Sequence, residues 1–401
     1  MRIVSDLHVH SKYARACSSQ FSIPNLEKWG RVKGLNLIGT GDFQHPKHRK
    51  HIDENLKEDE YGILRTKSGF PFIWQTEISL MYSQDKRRAV HHVVLAPSTE
   101  IANKITAYLA SKGRLDYDGR PIFNIPSNEF VKGLKAISGD IEIIPAHCMT
   151  PWFGLFGSKS GFDSLEGCFK DQIKHIYAVE SGLSADPPML WRFKEKFNIV
   201  SFSDAHSFWP WRLGREATIF DVPKLTYKNI IQAIRNNNFA TIETPPTYGK
   251  YHWDGHRNCN FSCSFEQTKK LNSICPKCKQ PLTIGVDYRV EEIAQFPVGH
   301  KPDNSNSFYE IIPLHEILAL YLASGLDTKK TWALYNSLIE KFQNELNILL
   351  SVPKEDFQKA ELPNQLIELV MLNRKNKLKI QPGYDGEYGK VEMPKKQQTL
   401  F

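Results

Sequence analysis

Along the first 245 or so residues, short apolar runs keep ending in a histidine or a carboxylate, and this pattern constrains the fold more than any other feature. His8 and His10 close the first run, in DLHVHS. Asp42 closes LIGTGD, Glu77 closes FIWQTE, His147 closes IIPAH, and Asp204 with His206 closes VSFSDAH, while His92 opens HHVVLA. The runs predict strands over Arg2–Leu7, Leu35–Gly39, Phe72–Glu77, His92–Ala96, Ile141–Ala146, Ile176–Glu180 and Ile199–Ser203. Strands alternating with helix-length connections read as a parallel sheet or a barrel. In such folds functional groups gather at the carboxyl ends of the strands. Residues i and i+2 of a strand share a side, so His8 with His10, and Asp204 with His206, can each face one ion. Neutral imidazole and carboxylate suit zinc, manganese or iron. A set this large can hold two or three ions, and paired ions activate water and clamp the oxygens of a phosphoryl group. A lone histidine at a strand end is ordinarily structural, but two paired motifs bracketing one α/β unit argue against that reading of the whole set.

Length and composition bound the rest. A chain of 401 residues suggests about two or three domains. No apolar run reaches the length of about 18 residues that a membrane span needs. The opening MRIVSDLHVH lacks the apolar core of a signal peptide, so a cytoplasmic protein is expected. A net charge of +8 permits an anionic partner such as nucleic acid without demanding one. Of seven cysteines, Cys259 and Cys263 form C-x3-C, and Cys275 and Cys278 form C-x2-C. That is the knuckle spacing of a structural zinc site holding four thiolates, with His256 as a possible substitute for one of them. Arg257, Lys269, Lys270, Lys277 and Lys279 surround it, so the module can grip phosphates or serve only as a brace. Cys148 and Cys168 read as ordinary buried residues.

The TPPT stretch at Thr244–Thr247 reads as a linker, which divides the chain into residues 1–245, a four-cysteine module over 246–290, a helical region over 291–385 and a polar tail over 386–401. Helical spacing of apolar residues marks His315–Ser324, Thr328–Leu350 and Leu362–Leu372. Lys329, Lys330, Lys341 and the run Arg374–Lys379 give that region a basic face that reads equally as a cradle for a duplex or as a solvated helix face. His45, His48 and His51, in FQHPKHRKH, read as a solvated basic loop. Beside His147 lie Trp152, Phe153, Phe156, Ser158, Lys159 and Ser160, and beside His206 lies SFWPWR, Ser207–Arg212. Either group of aromatics can wall a pocket or belong to the core.

The motif set resembles the PHP (polymerase and histidinol phosphatase) superfamily, with His8-Val-His10 as its opening motif and Asp204-Ala-His206 as its closing one. Glu77, His92 and His147 stand where that family's intervening ligands fall. The resemblance implies a distorted barrel of seven β/α units, followed here by the zinc module and the α-helical C-terminal region. It departs in two places. The stretch after the first motif, SKYARACS, offers only Cys17 where the family often has a histidine or aspartate. The second motif reads Gly41-Asp42-Phe43, with Asp42 in place of the usual histidine, so two ions are expected before three.

The segment PAHCMTPWFGLFGSKSGFDS, Pro145–Ser164, and the order of the regions resemble the endonuclease Q family over nearly the whole chain. That resemblance implies nicking of DNA on the 5′ side of deoxyuridine, hypoxanthine, xanthine or an abasic site. The ligands would be His8, His10, Asp42, Glu77, His92, His147, Asp204 and His206, with Asp204, His206 and His147 at the chemistry. The ions would be zinc, manganese or magnesium, besides the structural zinc. A base must leave the stack before an enzyme reads it, and Trp152, Phe153, Phe156, Lys159 and Ser160 are the expected pocket. Gln397, Leu400 and Phe401 resemble a shortened motif for the sliding clamp PCNA. Two rival readings are a phosphatase acting on small phosphate esters and a non-catalytic DNA- or clamp-binding protein.

Overall fold

The computed structural model describes residues 1–393. Gln397, Leu400 and Phe401 lie outside the described residues.

The central sheet is mixed, with 11 strands. Arg2–Asp6 runs parallel to Leu37–Gly39, which runs parallel to Pro71–Ser83. On its other side Arg2–Asp6 pairs antiparallel with Ala217–Asp221, and that strand pairs antiparallel with Phe239–Glu243. Pro71–Ser83 and Arg87–Ala96 form one long antiparallel hairpin, to which Glu142–Pro145 adds antiparallel. Ala178–Glu180 and Asn198–Val200 make a separate parallel pair, and a parallel bridge joins Val9 to Ala205. The expectation of purely parallel strands therefore gives way to a mixed sheet. One cause is the turn at Gln84–Lys86, where Gln84 N–H donates to Lys86 O at 3.1 Å. That turn has no glycine and so lacks the ordinary hairpin signal.

Both faces of the sheet are covered. Ile38, Phe72, Trp74, Val94 and Ile143 belong to the larger apolar core, and Leu37, Ile73, Val93, Leu95 and Ile144 to a second core beneath the other face. Alternation along one strand thus feeds two cores. Helix Ile23–Lys33 packs Ile23 and Leu26 into the larger core. It is capped by Ser22, which accepts from Asn25 N–H, and stops at Gly34, whose φ of 102° only glycine adopts without strain.

The C-terminal helices Leu314–Tyr321, Lys329–Phe342, Glu345–Leu350, Lys354–Lys359 and Asn364–Arg374 share the larger core rather than forming a second one. The expected single helix over Thr328–Leu350 breaks at Gln343, with φ at 74°, and Asn344 caps the next turn by accepting from Asn347 N–H. Strand Phe308–Glu310 joins the central sheet parallel to Phe239–Glu243. Lys33 Nζ lies 2.7 Å from Glu345 Oε1, with both side chains buried. Trp209 and Trp211 of the SFWPWR segment stack 5.6 Å apart and meet Trp332 of the helical region. They therefore dock the C-terminal helices rather than wall a pocket. His48, expected in a solvated loop, is buried on helix Pro46–Asn55 with Nε2 2.9 Å from Thr40 O. Thr244–Thr247 is mostly buried and leads into a short turn at Pro246–Tyr248. Among the described residues no helix is long and apolar enough to cross a membrane.

Candidate active site

Glu77, fully buried in the middle of Pro71–Ser83, is the hub of the site. Its Oε1 lies 2.8 Å from His91 Nδ1, 3.1 Å from His147 Nε2 and 3.6 Å from His8 Nε2. Its Oε2 lies 3.2 Å from His10 Nε2 and 3.1 Å from Arg120 Nη1. Asp204 Oδ1 completes the cage, 3.0 Å from His10 Nε2 and 3.5 Å from His8 Nε2. Two groups result, each with ligand atoms within 4.8 Å of one another: His8, His10, Glu77 and Asp204, and Glu77, His91 and His147. Glu77 belongs to both, so its two oxygens can serve two adjacent ions.

The supporting residues fix which nitrogen points inward. Glu180 Oε1 holds His8 Nδ1 at 2.9 Å, and Glu180 Oε2 accepts from His147 N–H at 2.7 Å. His8 Nε2 is left buried, aimed into the cage and without a hydrogen-bond partner. An orphaned imidazole nitrogen among carboxylates fits a metal ion, and the carboxylate behind the ring is the usual partner of such a ligand. Asp42 plays that part for His10. Its Oδ1 lies 3.2 Å from His10 Nδ1, and its Oδ2 accepts from Ser11 N–H at 2.7 Å. Asp42 thus stands behind the His10 ring instead of in the cage where the sequence placed it. His206 stands at the edge, its ring centroid 4.5 Å from that of His10 and its Nδ1 donating to Asp204 O at 2.9 Å.

His92 is a correction. It pairs with Ile78, whereas His91 pairs with Ser79, two residues along from Glu77. The pleat therefore turns His91 toward Glu77 and sends His92 to the opposite face. There His92 Nε2 lies 3.2 Å from Ser127 Oγ and its ring stacks on Phe130. Sequence reasoning missed His91, Glu180 and Arg120. Glu180 did carry the available signal, since it ends a strand run as the other site residues do.

Backbone strain marks the same positions. Asp42, His147 and Asp204 adopt φ of 33°, 32° and 48°. Non-glycine residues held at positive φ cost of order 1–3 kcal/mol each and collect at functional sites.

Burial opposes ionising every one of these groups, yet at His8, Glu77 and Asp204 their mutual attraction outweighs it. Despite burial, Glu180, Glu77 and Asp204 raise the His8 pKa well above its usual value. Burial likewise works against ionised Glu77, but His91, Arg120 and His8 hold its carboxyl well below the usual range. Asp204 is lowered in the same way, chiefly by His206 and His8 against its burial. His91 goes the other way, since burial drives it to about 3 despite Glu77.

The cage opens onto a cavity of about 430 Å³ lined on this side by His91, Arg120, His147 and Asp204. Of the expected pocket residues, Phe153 stacks on His91 at 4.3 Å and lines the cavity, and Trp152 stands 42% exposed at the rim, edge-on to Tyr251. Ser160 supports the loop by accepting from Phe153 N–H at 3.2 Å, and Lys159 faces solvent. Phe156 is fully buried against Phe193 and Phe197 and belongs to the core, not to a pocket.

The four-cysteine expectation is also revised. His256, Cys259, Cys275 and Cys278 bring their ligand atoms within 4.8 Å of one another. Cys263, by contrast, places Sγ 3.2 Å from Thr268 Oγ1. In the hairpin Asp254–His256 with Phe261–Cys263, Cys263 pairs with Asp254 and His256 with Phe261. His256 therefore sits at the turn end beside Cys259, and Cys263 two pairs further from the turn. Four donors of this kind suit tetrahedral zinc.

Residues 313–377 match the model of the MJ0043 C-terminal domain family. The chain is 30% identical over 85% of its length to the uncharacterized protein MJ0043 of Methanocaldococcus jannaschii, of which it spans 43%. It is 24% identical to the uncharacterized protein YqxK of Bacillus subtilis, covering 90% of this chain and 89% of that one. Among solved structures, the lesion-specific endonuclease PfuEndoQ from Pyrococcus furiosus superposes with a TM-score of 0.87 at 30% identity, covering 98% of this chain and 96% of that one. An endonuclease Q in complex with a 27-mer duplex substrate, bearing an abasic lesion at the active site, gives 0.88 at 31% identity over 98% and 97%. Identity at that level, sustained from one end of both chains to the other, places this chain in the endonuclease Q family.

Proposed function

We propose that this chain is a DNA repair endonuclease that hydrolyses the phosphodiester bond on the 5′ side of deoxyuridine, hypoxanthine, xanthine or an abasic site, using ions held by His8, His10, Glu77, His91, His147 and Asp204. One observation carries the reading: two ligand groups share Glu77 at the wall of a cavity large enough for an extruded nucleotide. The relative solved with a duplex bearing an abasic lesion at its active site supports it. When bound, the ions supply activated water and charge for an in-line displacement at phosphorus.

The chain's own groups do the remaining work. Glu180 and Asp42 hold the rings of His8 and His10. Arg120, 3.1 Å from Glu77 and one-quarter exposed toward the cavity, is placed to meet the negative charge of a phosphate. Asp204, His206 and His147 stand nearest the reacting group in this reading. Phe153 and Trp152 offer faces for a base taken out of the stack, and unstacking is least costly at a mispaired or damaged site. His256, Cys259, Cys275 and Cys278 form a structural zinc site in this reading, and the mixed sheet is read as the distorted PHP barrel. The clamp contact through Gln397, Leu400 and Phe401 rests on the motif alone; deleting those residues is expected to abolish clamp binding and spare nicking.

The test is a nicking assay across uracil, hypoxanthine, abasic and undamaged duplexes, with and without divalent metal. Nicking is expected only at lesions and only with metal. Asp204→Ala should lose it while still binding DNA, and continued cutting by that variant sinks the assignment. Turnover of a simple phosphomonoester, with none of the uracil-containing duplex, would favour the phosphatase reading.

A further inference from the structure

Beside the cage, the cavity wall carries two cations that form no ion pair among the described residues. Arg215 is buried, with Nη2 donating to Ser203 O at 3.0 Å and Nη1 to Tyr388 Oη at 3.2 Å. Lys250 Nζ stands 4.7 Å from the centre of the Tyr388 ring. All three residues line the same cavity as His147 and Asp204. Arg212, 5.0 Å from the centre of that ring, is already 3.7 Å from Glu316. Among the described residues neither Arg215 nor Lys250 forms an ion pair with a carboxylate. Glu216 lines this wall too, but burial, with Glu243 beside it, pushes its carboxyl well up the scale against the pull of Arg215, and it forms no ion pair with that guanidinium. A half-buried cation pair facing a cavity without a counter-charge is costly unless an anion arrives.

We propose that Arg215, Lys250 and Tyr388 form an anion subsite that holds a backbone phosphate next to the one being cleaved. This inference rests on the endonuclease reading for the identity of the anion as a DNA phosphate. Arg215 keeps N–H donors beyond those spent on Ser203, Lys250 brings a mobile charge, and the Tyr388 hydroxyl donates in a fixed direction. The state of the phenol agrees with the arrangement: burial would raise its pKa, but Arg215, Arg212 and Lys250 lower it to about 8. Tyr388 comes from a C-terminal hairpin, Ile380–Gln381 with Lys390–Val391, which folds back over the cavity. The far end of the described chain therefore completes a wall begun at Arg215.

Two arms test it. In metal-free protein, inorganic phosphate should raise the midpoint of the tyrosinate absorbance that titrates near 8, because an anion beside a phenol disfavours phenolate. Tyr388→Phe should remove that signal and Lys250→Met should blunt the response. In chelator, Lys250→Met should weaken binding of a uracil-containing duplex about three- to tenfold and reduce the log–log salt slope by about one. The loss should be equal on an abasic duplex. A loss confined to the uracil duplex would show that these residues read the base, and would overturn the phosphate assignment. An unchanged salt slope with an unmoved tyrosinate titration would overturn it as well. Failure of the wild type to bind either duplex would defeat the endonuclease reading, and the inorganic phosphate arm would then decide the subsite alone.

Discussion

His91 and His92 are adjacent and identical, and the pleat gives them different work. His91→Ala is expected to lower metal content and nicking with a modest loss of stability. His92→Ala should keep its metal and instead cost about 1–3 kcal/mol, because Ser127 loses a buried partner. Metal analysis and denaturant melts of the two variants separate the roles, and equal metal loss in both would contradict the register. A dipeptide cannot show which of its members faces inward. That depends on pairing with the strand that carries Glu77, and the pairing is set by a turn with no sequence signal. Asp42 was legible as a site residue but not as a supporter, since a carboxylate looks the same whether it meets an ion or the back of a ring. The paired motifs, His8 with His10 and Asp204 with His206, were legible because spacing alone puts both members on one side.

At the scale of elements, apolar runs marked seven of the strands well but blurred the connections. Ala217–Asp221 and Phe239–Glu243 passed unnoticed, although each ends in a carboxylate as the runs of the site do. The loop after His147 mixes functions residue by residue, which composition cannot resolve. Phe156→Ala should therefore cost about 3–5 kcal/mol of stability as a core truncation. Trp152→Ala, at an exposed rim, should leave the melting temperature nearly unchanged and reduce discrimination between damaged and undamaged duplexes. Comparing the two variants by calorimetry and nicking checks this, and a stability loss in Trp152→Ala would put that ring in the core. The docking of helix Glu345–Leu350 was equally invisible, because its anchor lies 312 positions away at Lys33. Glu345→Gln leaves the Lys33 charge buried without its counter-ion and should cost about 3–5 kcal/mol; the pair Lys33→Met with Glu345→Leu should recover much of it. Urea titrations of the three proteins measure both steps.

For the molecule as a whole, buried carboxylates set the response to pH. Burial raises Asp6 to about 6, Glu243 to about 7 and Glu310 to about 8, from usual values of 3.8, 4.5 and 4.5. The folded state thus keeps protons that the unfolded chain has already released. Their contribution to stability is full below the usual values and is lost as pH rises through about 6 to 8. Thermal midpoints should fall over that window, and Glu243→Gln should flatten the decline; a midpoint that climbs through the same range would contradict the assignment. The C-terminal hairpin has a further consequence, for biogenesis. The imidazoles and carboxylates of the cage all lie at or before position 206, whereas Tyr388 is supplied nearly at the end of the described chain. A polypeptide leaving the ribosome therefore displays every residue of the cage long before the enclosure around it exists, so translation order alone delays a closed site until almost the last codon described.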